Sequence, residues 1–212
     1  MGQRKSTILK YFTGILLIIV LNDFSATGQK SQSISFLPEP PVIDGYISPG
    51  EWDASSPATG FIQMEPHKGT SASEPTFVYT GFDSLYLYIA FECKQGEAFP
   101  ITANIQTRDR VITGDDAVIV VLDTYLDGRS AIGFSVNPLG IQTDYKITDD
   151  GRNINYEWDA QWESAATKTG DGWTCEIAIP FRSIKYKAGN LDWGLNLARL
   201  YGLSKNTSVR CS

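Results

Sequence analysis

The chain is poor in histidine, methionine and cysteine, with one, two and three of them in 212 residues, and each shortage removes a class of chemistry. A single imidazole, with no serine or cysteine nucleophile motif beside it, argues against the relay that most hydrolases use. The cysteines, Cys93, Cys175 and Cys211, lack the close pairing of a zinc half-site. Cys93 and Cys175 each belong to an apolar strand pattern, either as small buried residues or as a disulfide across the core of a protein in an oxidising compartment. Positive charge is also short, 18 Lys and Arg against 24 Asp and Glu, for a formal net charge of -6. That balance excludes a nucleic-acid partner, which needs a basic face, and disfavours phosphate-rich ligands. Neutral ligands remain open. The longest apolar run, residues 11–21, falls well short of the ~20 residues that a helix needs to span a bilayer.

That run has a different use. Arg4, Lys5 and Lys10 precede or begin it, and Ala26, Thr27 and Gly28 supply small residues at a cleavage point before Gln29, so residues 1–28 read as a cleaved signal peptide. No cysteine stands at the cleavage point to carry a lipid. What remains is one domain in size, and with 12% aromatic and 20% charged residues it is globular in composition.

The stretch 115–145 organises the rest. Residues 117–122 are a β-branched apolar run too short for a helix, and 131–136 alternate small or polar with apolar side chains, so both read as strands joined at Asp127-Gly128. Asn137-Pro138-Leu139-Gly140 ends the second strand and residues 141–147 begin a third. Upstream, residues 29–41 read as a linker or edge strand, Ser48 with Glu51 as a capped turn, and Trp52 as an inward plug. Residues 75–93 read as two strands split at 81–84, the second placing Leu85, Leu87, Ile89, Phe91 and Cys93 on one face. Strands are also expected over 101–108, 162–167, 173–180 and 193–200, with a polar loop at 149–155 and one helical turn at Phe181-Arg182-Ser183-Ile184. The tail 202–212 is polar and unlike a core strand, and the chain reads as truncated there. Many short strands separated by regular turn signals predict an all-β fold, an antiparallel, jelly-roll-like β-sandwich over residues 42–201.

Gly172-Trp173-Thr174-Cys175-Glu176-Ile177-Ala178-Ile179-Pro180-Phe181, with Val42-Ile43-Asp44-Gly45 and Leu85-Tyr86-Leu87-Tyr88, resembles the family 9 carbohydrate-binding modules. Leu122-Asp123-Thr124-Tyr125, Val136-Asn137-Pro138-Leu139-Gly140 and Trp158-Asp159-Ala160-Gln161-Trp162 are similar to a branch found at the N-terminus of large Bacteroidetes-type outer-membrane proteins. The resemblance implies a sandwich that holds the end of a sugar chain between two tryptophans, with structural calcium and a role as accessory to carbohydrate breakdown. It also implies a secreted protein, periplasmic or outer-membrane associated, with a C-terminal β-barrel as a partner beyond this chain. The family's first stacking tryptophan falls near Thr113, its strand carboxylate at Ile119 and its arginine at Ser135, while its asparagine is kept as Asn137.

Exposed aromatics with amide or charged groups around them suit a sugar, because a ring offers area at little entropic cost while polar groups orient hydroxyls. The candidate glycan ligands are Trp158, Asn137, Arg110, Tyr156 and Gln142, with Trp162 expected in the core. Asp115, Asp116 and Asp123 are the candidate calcium ligands, although no EF-hand spacing is present and solvated turn carboxylates are the simpler reading. Glycoside hydrolysis would need two carboxylates across a cleft, one with a raised pKa, and no pair stands out. Met64 and His67, close together in a loop, offer a haem-type alternative. The expectation is a non-catalytic glycan-binding domain, and the alternative an interaction domain that has kept the fold without the sugar site.

Overall fold

The computed structural model describes residues 33–97, 100–187, 189, 192–202 and, for the backbone alone, 207–211. The expected signal peptide lies outside these residues. Twelve strands are described: β1 Ser35–Phe36, β2 Ile62–Glu65, β3 Thr76–Phe82, β4 Tyr86–Lys94, β5 Ala117–Asp123, β6 Ala131–Val136, β7 Gln142–Thr148, β8 Asn153–Asn155, β9 Glu163–Thr169, β10 Gly172–Pro180, β11 Gly194–Leu200 and β12 Thr207–Cys211. They form two sheets, one ordered β1-β3-β4-β10-β9 and the other β2-β12-β11-β5-β6-β7-β8. All pairings are antiparallel except β1 on β3.

The core lies between the sheets because alternate residues of each strand share a face. Ile89, Phe91, Trp173 and Ile177 from the first sheet meet Val118, Val120, Phe134, Val136 and Leu197 from the second, all buried. Cys93 and Cys175 belong to this core as free thiols: Trp173, not Cys175, stands opposite Cys93. The sandwich, the 3-10 turn at Phe181–Ser183 and the inward face of β4 from Leu87 to Cys93 follow the sequence expectation, whereas Leu85 precedes the strand and is exposed.

The outer face of the first sheet is covered too. Residues 37–58 strap across it, with Leu37 and Trp52 packing on Tyr88, Ala90 and Ala178. Glu176, fully buried on β10, anchors the strap: its carboxylate accepts the N–H of Asp44 (3.2 Å) and Gly45 (3.1 Å) and Nε1–H of Trp52 (3.1 Å). Glu51 accepts the N–H of Ser48, so the expected cap pair forms in a turn rather than a helix.

Five elements differ from expectation. Residues 62–65, Met64 among them, form strand β2 where a loop was expected. Residues 101–108 are an extended segment and not a strand, because their N–H groups go to carboxylates of the following loop. The β5–β6 connection is longer than a tight Asp-Gly turn: Asp123 accepts the N–H groups of Tyr125, Asp127 and Gly128, and Leu126 and Gly128 take positive φ. The polar stretch 149–155 contains β8, which pairs along the edge of β7. Residues 207–211, expected as a polar tail, pair with both β11 and β2. Ladder hydrogen bonds use only the backbone, so a polar composition did not prevent pairing.

At Gly172, φ is 153° and an added Cβ would lie 1.9 Å from the Cys93 carbonyl oxygen. Gly172→Ala is therefore expected to pry the β4–β10 ladder apart at its end, costing about 2 to 4 kcal/mol in urea unfolding.

Candidate functional site

The segment 100–116 turns back at Asp115 and Asp116, both buried. Asp115 accepts the N–H of Asn104 (2.9 Å) and Ile105 (2.8 Å), Nδ2–H of Asn104 (3.2 Å) and Nδ2–H of Asn137 (3.1 Å). Asp116 accepts from Thr102 N (2.8 Å), Gln95 Nε2 (3.1 Å) and Gly202 N (2.9 Å). Asn137 spends both ends of its amide: Nδ2 also donates to the Ile105 carbonyl, and Oδ1 accepts the N–H of Leu139 and Ile141. This retained asparagine thus locks the loops together and has no free group for a hydroxyl.

The same geometry tests the calcium expectation. Asp115, Asp116 and Asp123 each collect several N–H donors, and no group of three or more His, Cys, Asp or Glu that could hold a metal occurs among the described residues. A calcium ion wants oxygens that point inward together. A carboxylate ringed by N–H groups presents its lone pairs elsewhere, so this donor set does not fit the ion.

On the outer face of the second sheet, Ile119 and Ser135 occupy the positions the resemblance marks for sugar contact. They line a shallow pocket of about 30 Å³ with Val111, Thr143, Tyr145 and Tyr156. The Tyr145 ring lies over Gly133, where an added Cβ would come within 2.2 Å of it, and Tyr156 leans on Tyr145 with ring centres 5.3 Å apart. Burial pushes both phenols above their ordinary pKa. Arg110 is exposed beside this face, its carbonyl accepting from Thr143 Oγ1. The face is small and largely apolar, with no polar sugar cradle around Tyr156.

Trp158 and Trp162 meet at Phe134. Trp162 is buried, stands edge-to-face on Phe134 at 5.1 Å and donates Nε1–H to Asp144 (3.1 Å). Trp158 is half-buried against the same ring at 6.2 Å. A ring used this way is mortar more than platform. Trp158→Ala is expected to cost about 2 to 3 kcal/mol of stability, read as a shifted denaturation midpoint, because packing area and an aromatic contact are both lost.

Gln142 belongs to another constellation. Its Oε1 accepts from Arg108 while Nε2 donates to Ser164 Oγ (3.0 Å). Arg108 also donates to Asp144 (3.2 Å), Asp159 (3.1 Å), the Ala160 carbonyl (3.2 Å) and Asp109 (3.3 Å). Asp144 is wholly buried, and desolvation raises its pKa against the pull of Trp162, Ala160 and Arg108. Arg108 forms part of the wall of an open groove of about 490 Å³, completed by Asp109, Asp159, Gln161, Glu163, Pro180 and Arg182. These residues span more than seventy positions of sequence, and reading along the chain missed the groove, with Gln142 behind Arg108 its one trace. Met64 and His67 lie far from such enclosure; His67 is exposed in its loop.

The sandwich has counterparts among solved structures. A family 9 carbohydrate-binding module from Caldicellulosiruptor kristjanssonii in complex with glucose superposes with a TM-score of 0.59 at 16% identity, over 83% of each chain. The fold is that of a family 9 carbohydrate-binding module. The cellotriose complex from the same organism gives 0.58 at 16% identity, over 83% of this chain and 81% of that one. A candidate carbohydrate-binding protein from Bacteroides uniformis gives 0.65 at 12% identity, over 85% and 88%. No family model matches the sequence, and no curated protein matches it.

Proposed function

We propose that this chain is a non-catalytic glycan-binding module, exported from the cytoplasm and serving as an accessory to carbohydrate breakdown. The observation that supports the reading is the fold, shared along more than four-fifths of the chain with modules solved holding glucose and cellotriose. The electrostatics fit a binding role better than a hydrolytic one. Burial raises Glu176 to about 7 and raises Asp144 as well, yet neither carboxylate is exposed, and each is occupied by N–H donors. A general acid must reach the glycosidic oxygen, and these two cannot.

A second reading, an extracytoplasmic interaction domain without a sugar site, is favoured by one observation: the outer face of the second sheet presents Ile119 and Ser135, and Asn137 is internally spent. Calorimetric titration of residues 29–212 with cello- and xylo-oligosaccharides separates the two. Saturable heat without release of reducing ends is the expected result. No heat from a folded sample supports the interaction domain.

A further inference from the structure

Resting on the glycan-binding reading, we infer that the sugar contact is the groove between Arg108, Glu163 and Arg182, and that its ligand is a neutral, hydroxyl-rich glycan. Three properties of the groove carry this. Its volume, about 490 Å³, lies in the range of small-molecule sites and is enough for one or two sugar rings, whereas the pocket on the outer sheet face, about 30 Å³, holds no more than a water.

Its polar groups divide into fixed and available ones. Arg108 is immobilised by Asp109, Asp144, Asp159, Gln142 and the Ala160 carbonyl, so it shapes the wall and is electrostatically neutralised. Among the described residues the side chains of Gln161, Glu163 and Arg182 form no hydrogen bond or ion pair, and all three residues line the same opening. Together they offer a carboxylate that accepts, a guanidinium that donates and an amide that does both. Adjacent hydroxyls of a sugar ring, each donor and acceptor at once, satisfy such a set without bringing a charge.

The charge balance selects among glycans. Two guanidinium groups face three carboxylates, Asp109, Asp159 and Glu163, with Asp144 behind Arg108. A uronate or sulfated sugar would meet net repulsion, and a neutral one would not. Ala160, Trp162 and Pro180 supply the apolar part of the lining against which a ring's C–H face can rest.

The test uses residues 29–212 and cellotriose, with a uronic-acid oligomer as the charged comparison. Glu163→Gln and Arg182→Ala alter exposed or half-exposed side chains without structural bonds, so thermal unfolding should stay unchanged. Each is expected to weaken cellotriose binding by roughly ten- to hundredfold, as loss of a charged hydrogen-bond partner does. Arg110→Ala, on the outer sheet face, should bind as the unaltered chain does, and the uronic oligomer should bind at least tenfold more weakly. Binding that survives both groove variants but falls with Arg110→Ala overturns the groove while leaving glycan recognition intact. An unaltered chain that binds no neutral oligosaccharide overturns both. Preference for the uronic oligomer overturns the assignment of a neutral ligand.

Discussion

Asp115→Ala should lower the unfolding free energy by roughly 3 to 5 kcal/mol. The carboxylate is 2% exposed and receives three side-chain or backbone donors from Asn104 and Ile105 as well as the amide of Asn137. Truncation strands those donors in a site with little room for water. Asn137→Ala should cost a similar amount, because Leu139 and Ile141 lose the acceptor for their N–H groups. The two losses should not add. A double-mutant cycle in urea should return a coupling of about 1 to 3 kcal/mol, since each residue is the other's partner. Chelation with EDTA should leave the midpoint where it is; a lower midpoint would mean that a metal holds these loops and the N–H accounting is wrong.

The stability of the chain should fall as the pH rises from about 5 to 8, and Glu176 should be the main cause. Burial on β10 raises its pKa from 4.5 to about 7, with the bonds from Trp52, Gly45 and Asp44 resisting that rise. The folded chain therefore holds a proton that the unfolded chain has released across that window. The contribution is complete below the unfolded value of 4.5 and is lost as the pH passes through about 7. It amounts to roughly 3 kcal/mol in total. Asp144, also raised by burial, acts with the same sign. Asp83 and Asp127 are lowered below the ordinary carboxylate value despite some desolvation, by N–H and hydroxyl donors, so their effect belongs to the acid side of the window. Glu176→Gln, an uncharged mimic of the protonated acid, should flatten most of the slope in denaturant melts at stepped pH. An unchanged slope would assign it to other groups. The local consequence is release of the strap over residues 37–58, readable as faster amide exchange at Asp44 and Gly45 at high pH.

The parts of the fold legible from sequence were those governed by period and turn chemistry. The two-residue alternation of β4 separated Leu87, Ile89, Phe91 and Cys93 from Tyr88 and Ala90, and both sets are buried, one between the sheets and one beneath the strap. The break between the strands expected to end at 167 and to begin at 173 became the β9–β10 hairpin, which joins Thr169 to Gly172. What could not be read depended on long-range partners. Residues 101–108 carry a strand-like pattern, but Asp115 and Asp116 capture their N–H groups first. Residues 207–211 look polar, yet two neighbouring strands supply backbone partners. The site was less legible than the fold for the same reason. Asn137 carries a ligand's residue type, and only the placement of Asp115 and Ile105 shows that its amide is consumed. Glu163 and Arg182 had no local signal at all, because strand β9 and the 3-10 turn must fold before they share an opening.

The most direct measurement of the central claim is a residue-resolved amide NMR titration of residues 29–212 with cellotriose. Saturable shifts confined to residues 159–163, the 3-10 turn and the Arg108 loop would be the signature of a neutral glycan held in the groove. A spectrum of a folded chain that does not respond, up to millimolar sugar, would contradict glycan binding and leave the sandwich as an interaction domain.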